Sequence, residues 1–469
     1  MPRSMDVGKP LRRCDPAMKL GLSSIHRALR VRTRVSVRWS FRALAFLLAT
    51  GVLVASAPPV ADAAGPSVAS PVAPFDAGAA GPSVVSGAAL SGASPAATSA
   101  ADADTSGCTN QAAKSNFHET QSNQAILPLQ QLPMDAVSVP TWSGSFTTDG
   151  TSYPFTMVGT DPAAGSVTTH VPVELIPVSL EFQGNGCVLQ DSRAIADIEA
   201  SPLFTAAANI RTGVTQYLDA VQRANFWSTV STVSPDYHLL LDPSAMPAVT
   251  LNVPASQGLT FDDPTCDPVC GIVSGDWFTR KLVGLLGSLH ISPTTLAVFV
   301  PVNTFITDQN PSACLVSCAA YEGFHQAILS PKNPHAINTF AVADYRDDPE
   351  VPAPFDIGPY TLSHEILEWA NDPFDNEARV QGNLSFFANP APAWTSPYYF
   401  DSPPCLPIME VADPLEGVGF LPILAVGSST IYGLADAAFL SWFARQAPST
   451  SFGGTYDLAG VFSTYSTAC

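Results

Sequence analysis

The chain has 469 residues, 46% of them hydrophobic and only 13% charged, with 21 Lys and Arg against 40 Asp and Glu. Its formal net charge of −19 repels phosphate backbones and anionic lipid, which argues against nucleic acid and acidic membranes as partners. Divalent cations, basic substrates and an acidic medium that protonates many carboxylates all remain compatible with it.

Arg27, Arg30, Arg32, Arg34, Arg38 and Arg42 lead into the uncharged run Ala43 to Ala57, and Ala61-Asp62-Ala63 offers small residues around a cut. This pattern predicts a secretory signal peptide over residues 1–63, with Met5 or Met18 as alternative starts. The apolar run is shorter than the roughly 20 residues a spanning helix needs, so the expected product is extracellular with no membrane segment after cleavage. Removing the leader leaves 10 basic and 37 acidic residues, a net charge near −27. It also leaves eight cysteines: Cys108, Cys187, Cys266, Cys270, Cys314, Cys318, Cys405 and Cys469. An even set in an oxidising compartment predicts four disulfides, with the connectivity left open. The spacings Cys266 to Cys270 and Cys314 to Cys318 also admit a four-thiolate zinc site, a weaker reading because exported thiols usually oxidise.

Residues 64–119 are rich in Ala, Gly, Pro, Ser and Val, with Ala-Gly-Pro-Ser-Val at 64–68 and again at 80–84. Such a segment buries too little to offset its ordering entropy and reads as a spacer. A globular domain is expected over 120–469. Within it, Asp149-Gly150 between two apolar stretches signals a type I′ hairpin, weakened by Pro154. Val173 to Phe182 reads as a strand whose Pro177 argues for an edge or a bulge. Val214 to Trp227 and Trp277 to Leu289 read as helices, and Leu296 to Val300 and Ile337 to Val342 as buried strands. The expected class is α+β, a mixed sheet with helices packed on it.

A helix is predicted over 359–371, opened by Pro359 and stopped by Asp372-Pro373. It carries His364-Glu365-Ile366-Leu367-Glu368, one ligand type away from the His-Glu-x-x-His motif of zinc peptidases. Side chains four apart lie one above the other on a helix and can grip one metal, and a carboxylate oxygen binds Zn²⁺ as an imidazole does. On the helical wheel Thr361, His364, Glu365, Glu368, Asn371 and Asp372 share one arc, with Leu362, Ile366, Leu367, Trp369 and Ala370 opposite. An amphipathic helix with a solvated polar face accounts for this pattern equally well.

Further ligands are sought in Ile408 to Asp413, where an alternating strand would send Glu410 and Asp413 to opposite sides. His325 is another candidate, one of only eight His. The acidic stretches Asp344 to Glu350 and Asp372 to Glu377 suit Ca²⁺ better than Zn²⁺, although solvated loops explain them more simply in so acidic a chain. No Gly-x-Ser-x-Gly elbow marks a serine hydrolase.

Gly323-Phe324-His325, then Ser363-His364-Glu365-x-x-Glu368-x-x-Asn371-Asp372-Pro373, then Glu410-Val411-Ala412-Asp413 resemble the signature of the EXORDIUM, or phosphate-induced protein, family and of a wider group of secreted bacterial and fungal proteins. Members typically carry Cys-Gly-(Tyr/Trp)-His, a Ser-His-Glu-Leu-x-Glu helix ending in Thr-Asp-Pro or Thr-Asn-Pro, and Glu-Ile-x-Asp with a following Cys. The match spans about 95 residues, Cys318 to Asp413. It departs from the pattern where Cys318 stands apart from Gly323 and where Cys405 precedes Asp413 instead of following it, which bears on the disulfides. The resemblance implies a shared cluster of His325, His364, Glu365, Glu368, Glu410 and Asp413 with metallopeptidase character, in a family better known for extracellular, growth-associated roles than for a settled reaction.

The resulting expectation is a secreted, disulfide-bonded, zincin-like metal-site protein. His364 and Glu368 would bind Zn²⁺ with Glu410 as third ligand, and Glu365 would activate water toward a peptide or cell-wall substrate. The rival expectation is a non-catalytic extracellular or cell-wall-associated binding protein in which the same carboxylates hold a structural Ca²⁺ or Zn²⁺.

Overall fold

The computed structural model describes residues 136–466 apart from 268, 313, 315–319, 347, 376–387, 397 and 399–404. The expected leader and spacer, Cys108 and the start of the expected globular region at 120–135 lie outside the described residues. Strands β1 (Thr141–Thr148) and β2 (Thr151–Val158) form the expected hairpin, with Asp149 at φ 49° and Gly150 at φ 77°. Positive φ at both loop residues is what a type I′ turn demands. Pairing alternates from Thr148 opposite Thr151, so Pro154 opposite Ser145 takes a non-hydrogen-bonded position and its missing N–H costs no ladder bond.

The principal sheet is built around β3 (Thr168–Phe182), with β4 (Cys187–Leu189) antiparallel to its end. β5 (His238–Ala245) runs parallel beside Thr168 to Leu175, and β6 (Val249–Val253) takes over beside Val178 to Phe182. Pro177 is therefore neither at an edge nor in a bulge. Leu175 sends its C=O to the Met246 N–H on that side, so Pro177, two residues on, has its nitrogen facing the gap between β5 and β6. A second sheet of three strands contains β7 (Gly258–Phe261), β8 (Cys270–Ser274) and, later in the chain, β10 (Thr304–Thr307).

β9 (Leu296–Val300) pairs with the other side of β3 and is buried throughout. The principal sheet ends in the order β3, β9, β12, β11, where β12 (Asn333–Ala343) is parallel to β9 and β11 (Gly323–Ser330) is antiparallel to β12. Smaller sheets follow in the last third. β13 (Phe355–Asp356) and β16 (Leu421–Leu424) flank β17 (Ile431–Leu434), and β14 (Pro390–Trp394) pairs with β15 (Leu406–Ile408). The class is α+β, as the alternation of elements implies.

Period-two alternation divides the sheet between two cores. Leu175, Val298 and Ala341 face a core shared with Leu362, Ile366 and Trp369; Ile176, Phe299 and Phe340 face one shared with Trp277, Phe278 and Leu282. The helices that supply these residues follow α1 (Ala194–Ala200) in the chain. α2 (Tyr217–Asn225) starts later than expected because Gln216 stays extended and spends its side chain on the backbone of Phe204 and Leu241. α3 (Gly275–Ser288) matches its expected span closely. α4 (Tyr360–Asn371) carries the His-Glu-x-x-Glu motif and packs on β11 and β12, with β2 and β17 as further neighbours.

Three expectations are corrected. The polar arc of α4 is not a solvated face, because Thr361, Glu365, Glu368, Asn371 and Asp372 are buried and His364 is half-buried. The acidic stretches are solvated only in part: Glu350 is exposed, and Asp347, Asn376 and Glu377 lie outside the described residues, but Asp348 is buried. Asp344 accepts the Thr304 N–H at 2.8 Å and lies 3.6 Å from Arg346, while Asp372 and Asp375 are both buried. Finally, Cys266 and Cys270 are joined to each other, and Cys187, Cys314 and Cys405 are also disulfide-bonded. A four-thiolate zinc site is thereby ruled out, since a sulfur in a disulfide is no thiolate.

Two buried carboxylates fix the end of the chain. Asp436 accepts the N–H groups of Ala437, Leu458 and Ala459, and Asp457 accepts those of Val461 and Phe462. Burial, and after it the charge of Asp457, push the Asp436 carboxyl well above its ordinary range. A folded-state pKa above the unfolded one means the native state holds a proton the unfolded chain releases, so stability falls as pH rises from about 4 toward the folded value. Denaturation midpoints measured across this range should fall less steeply for Asp436→Asn than for the parent chain. Trp369, wholly buried with its Nε1–H donated to Thr339 Oγ1 at 3.1 Å, anchors α4 to β12. Trp369→Ala should cost about 3–5 kcal/mol of unfolding free energy, read as a lower midpoint at unchanged denaturant slope.

Candidate metal centre

Three segments bring the site together: edge strand β11 with His325, helix α4 with His364, Glu365 and Glu368, and residues 409–413 with Glu410 and Asp413. Alternation turns His325 toward α4 while Phe324 and Ile328 join the opposite core. Gly323 lets the helix come close, because a Cβ there would lie 2.7 Å from each of Glu365 Oε1, Thr361 Cγ2 and the Val342 carbonyl oxygen. Ser363 Oγ accepts the Ala435 N–H at 2.8 Å and fixes the other flank of the helix.

The expected strand over 408–413 stops at Ile408. The chain then turns, and Asp413-Pro414 opens a short 3₁₀ helix, Asp413–Val418. The N–H groups of Ala412 and Asp413 donate to Glu368 Oε1, each at 3.3 Å. This turn cancels the alternation that would have separated Glu410 from Asp413, and both side chains reach Glu368.

Among the described residues two groups of three donors result, each with its atoms within 4.8 Å of one another: His364, Glu368 and Asp413, and His325, Glu368 and Glu410. In the first, His364 Nε2 lies 3.1 Å from Glu368 Oε1 and 3.4 Å from Asp413 Oδ1, with the His364 and Asp413 side chains 13% and 22% exposed. In the second, His325, Glu368 and Glu410 are all buried. His325 Nδ1 is 3.6 Å from Glu365 Oε2 and 3.8 Å from Glu368 Oε2. Glu410 was expected beside His364, but it is grouped with His325, and Asp413 takes the place beside His364.

Electrostatics pull these groups apart. Burial works to lower His325, yet the carboxylates of Glu365, Glu368 and Asp375 outweigh it and hold the imidazole up at about 10. His364 is likewise held well above its ordinary value, chiefly by Glu368 and Asp413 against the cost of burial. Burial raises Glu368, but the two imidazoles more than offset it and keep this carboxyl below its usual range. Glu365, Glu410 and Asp413 are all raised, with burial the largest cause in each. Glu365 Oε2 and Glu410 Oε2 are buried without a hydrogen-bond partner.

Residues that the motif reading passed over complete the surroundings. Asn389 donates its backbone N–H to Asp372 Oδ2 at 2.7 Å and its side-chain amide to the carbonyls of Asn371 and Thr156, tying the helix end to β2. Glu416, on the 3₁₀ turn three residues after Asp413, is pushed up to about 7, first by burial and then by Asp413. Glu322, just before Gly323, accepts from Thr361 Oγ1 at 3.3 Å and pairs with Arg346 at 2.7 Å. The i, i+3 spacing from Asp413 could have flagged Glu416; nothing in the sequence flags Asn389.

Compared with protein-family models, curated proteins and solved structures, the chain matches none of them.

Gly323→Ala tests whether the helix needs this close approach. Its methyl would meet backbone as well as the Glu365 carboxylate, so it should destabilise the fold by about 1–3 kcal/mol, measured by denaturant unfolding.

Proposed function

We propose that this chain is a secreted, metal-dependent hydrolase of zincin-like type that cleaves peptide bonds, with His364, Glu368 and Asp413 as the ligands of its catalytic ion. The observation that carries the reading is the spacing of His364 Nε2 from Glu368 Oε1 and Asp413 Oδ1, 3.1 and 3.4 Å. Ligand atoms each about 2.0–2.1 Å from a tetrahedral ion stand about 3.3 Å apart, so the three donors fit one ion and leave a fourth direction free. Charge supports the same conclusion. Six carboxyl groups, Glu365, Glu368, Asp372, Asp375, Glu410 and Asp413, gather around two imidazoles, and buried carboxylates in excess need cations or protons to offset desolvation. An imidazole in the group suits Zn²⁺ better than Ca²⁺, which prefers oxygen alone.

An ion bound there supplies Lewis acidity toward a carbonyl and acidifies a water. The chain's own residues do the rest. Glu365 follows His364 directly, and burial raises its affinity for a proton. That suits it to accept a proton from water as the O–C bond forms and to return it to the amine as the C–N bond breaks. The exposed edges of His364 and Asp413 mark the side from which a substrate would arrive. The EXORDIUM-like order of Gly323-Phe324-His325, Ser363-His364-Glu365 and Glu410-Val411-Ala412-Asp413 supports an extracellular setting, and so does the oxidised state of the cysteines.

Metal content and peptide hydrolysis, measured on the parent chain and on Glu365→Gln, test the proposal. The variant should keep its metal and lose activity by about 100-fold or more. A parent chain that binds metal but hydrolyses no peptide would leave the non-catalytic binding protein as the better account, and a chain that binds none would remove both.

A further inference from the structure

Glu368 faces two ways. Its Oε1 meets His364 Nε2 at 3.1 Å and receives two backbone N–H groups, while its Oε2 turns to the buried side, 3.8 Å from His325 Nδ1. His325 Nε2 lies 3.2 Å from the Asp372 carbonyl oxygen, which can only accept, so Nε2 carries the proton of that contact. A backbone carbonyl that fixes a histidine's tautomer in this way is the usual outer support of a metal-bound imidazole. It leaves Nδ1 as the ring atom that faces Glu365 Oε2 and Glu368 Oε2, at 3.6 and 3.8 Å. The separation from Glu368 Oε2 exceeds a hydrogen bond and suits two donors around a shared cation.

Glu410 supplies the independent sign. Its carboxyl is buried, its Oε2 has no hydrogen-bond partner, and one of its oxygens lies within 4.8 Å of a His325 ring nitrogen and a Glu368 oxygen. We infer that His325, Glu368 and Glu410 hold a second divalent transition-metal ion, enclosed in the protein, with the Glu368 carboxylate bridging it to the ion at His364 and Asp413. This rests on the metal-centre reading above and extends it from one ion to two. The two positions differ in access. The His364 group opens to solvent and suits chemistry; the His325 group is closed and would fix β11, α4 and the 409–413 segment to one another.

The test counts ions. The purified chain, stripped with a chelator and reloaded with Zn²⁺ or Co²⁺, is passed through gel filtration and analysed for metal per chain by mass spectrometry. Two ions per chain are expected for the parent, one for Glu410→Gln and one for Asp413→Asn. A parent chain with a single ion, or a Glu410→Gln variant that still holds two, overturns the second site and leaves the catalytic one standing. A parent chain with no ion removes the proposed function as well. Should either variant fail to fold, anomalous diffraction at the zinc edge from crystals of the reloaded parent decides alone: two peaks flanking Glu368 support the inference, and one peak overturns it.

Discussion

A carboxylate buried between two imidazoles is the constraint on which the rest of this site depends. Glu368 is 5% exposed, and desolvation alone would drive it to bind a proton. It stays below its ordinary pKa because His364 and His325 approach from opposite sides and two backbone N–H groups bind Oε1. Each partner comes from a different segment, so keeping Glu368 ionised requires strand, helix and C-terminal turn to be in place together.

The scaffold meets that requirement with apolar packing on one side and polar fastening on the other. Leu362, Ile366 and Trp369 bury the apolar arc of α4 in the core beneath the sheet, which sets the rotation of the helix and hence the direction of His364 and Glu368. Gly323 spares a Cβ that would press on Thr361 and Glu365 of α4. Asn389 then ties the end of the helix to β2 through four hydrogen bonds that an apolar contact could not aim so narrowly.

Sequence made the helix and its two arcs legible because a 3.6-residue period survives whatever the helix packs against. The hairpin was equally legible, since Asp149-Gly150 names its own turn. What the period does not show is whether a polar arc meets water or protein. Six acidic groups on and around α4 look like a solvated face in a chain this acidic, and only the sheet edge and the returning 409–413 segment enclose them. The same limit explains Pro177. A proline forbids a hydrogen bond on one side, and sequence cannot reveal that the neighbouring strand changes at that point. Alternation failed over 408–413 because two of its N–H groups leave the strand ladder for a carboxylate 44 and 45 residues away.

That carboxylate also accounts for the departure from His-Glu-x-x-His. An imidazole at position 368 would present one ring nitrogen to one ion and spend the other on a support. Glutamate presents two equivalent oxygens in different directions, and here one meets His364 and the other faces His325. A carboxylate ligand donates more negative charge than imidazole and by itself weakens the acidity of a bound water. Were both proposed ions bound, sharing that charge between them would offset the loss, because each would withdraw electron density from the shared carboxylate. On the proposed two-ion reading, Glu368 and the closed His325 group would act together, the buried position supplying the positive charge that would let a carboxylate serve where zinc peptidases use histidine.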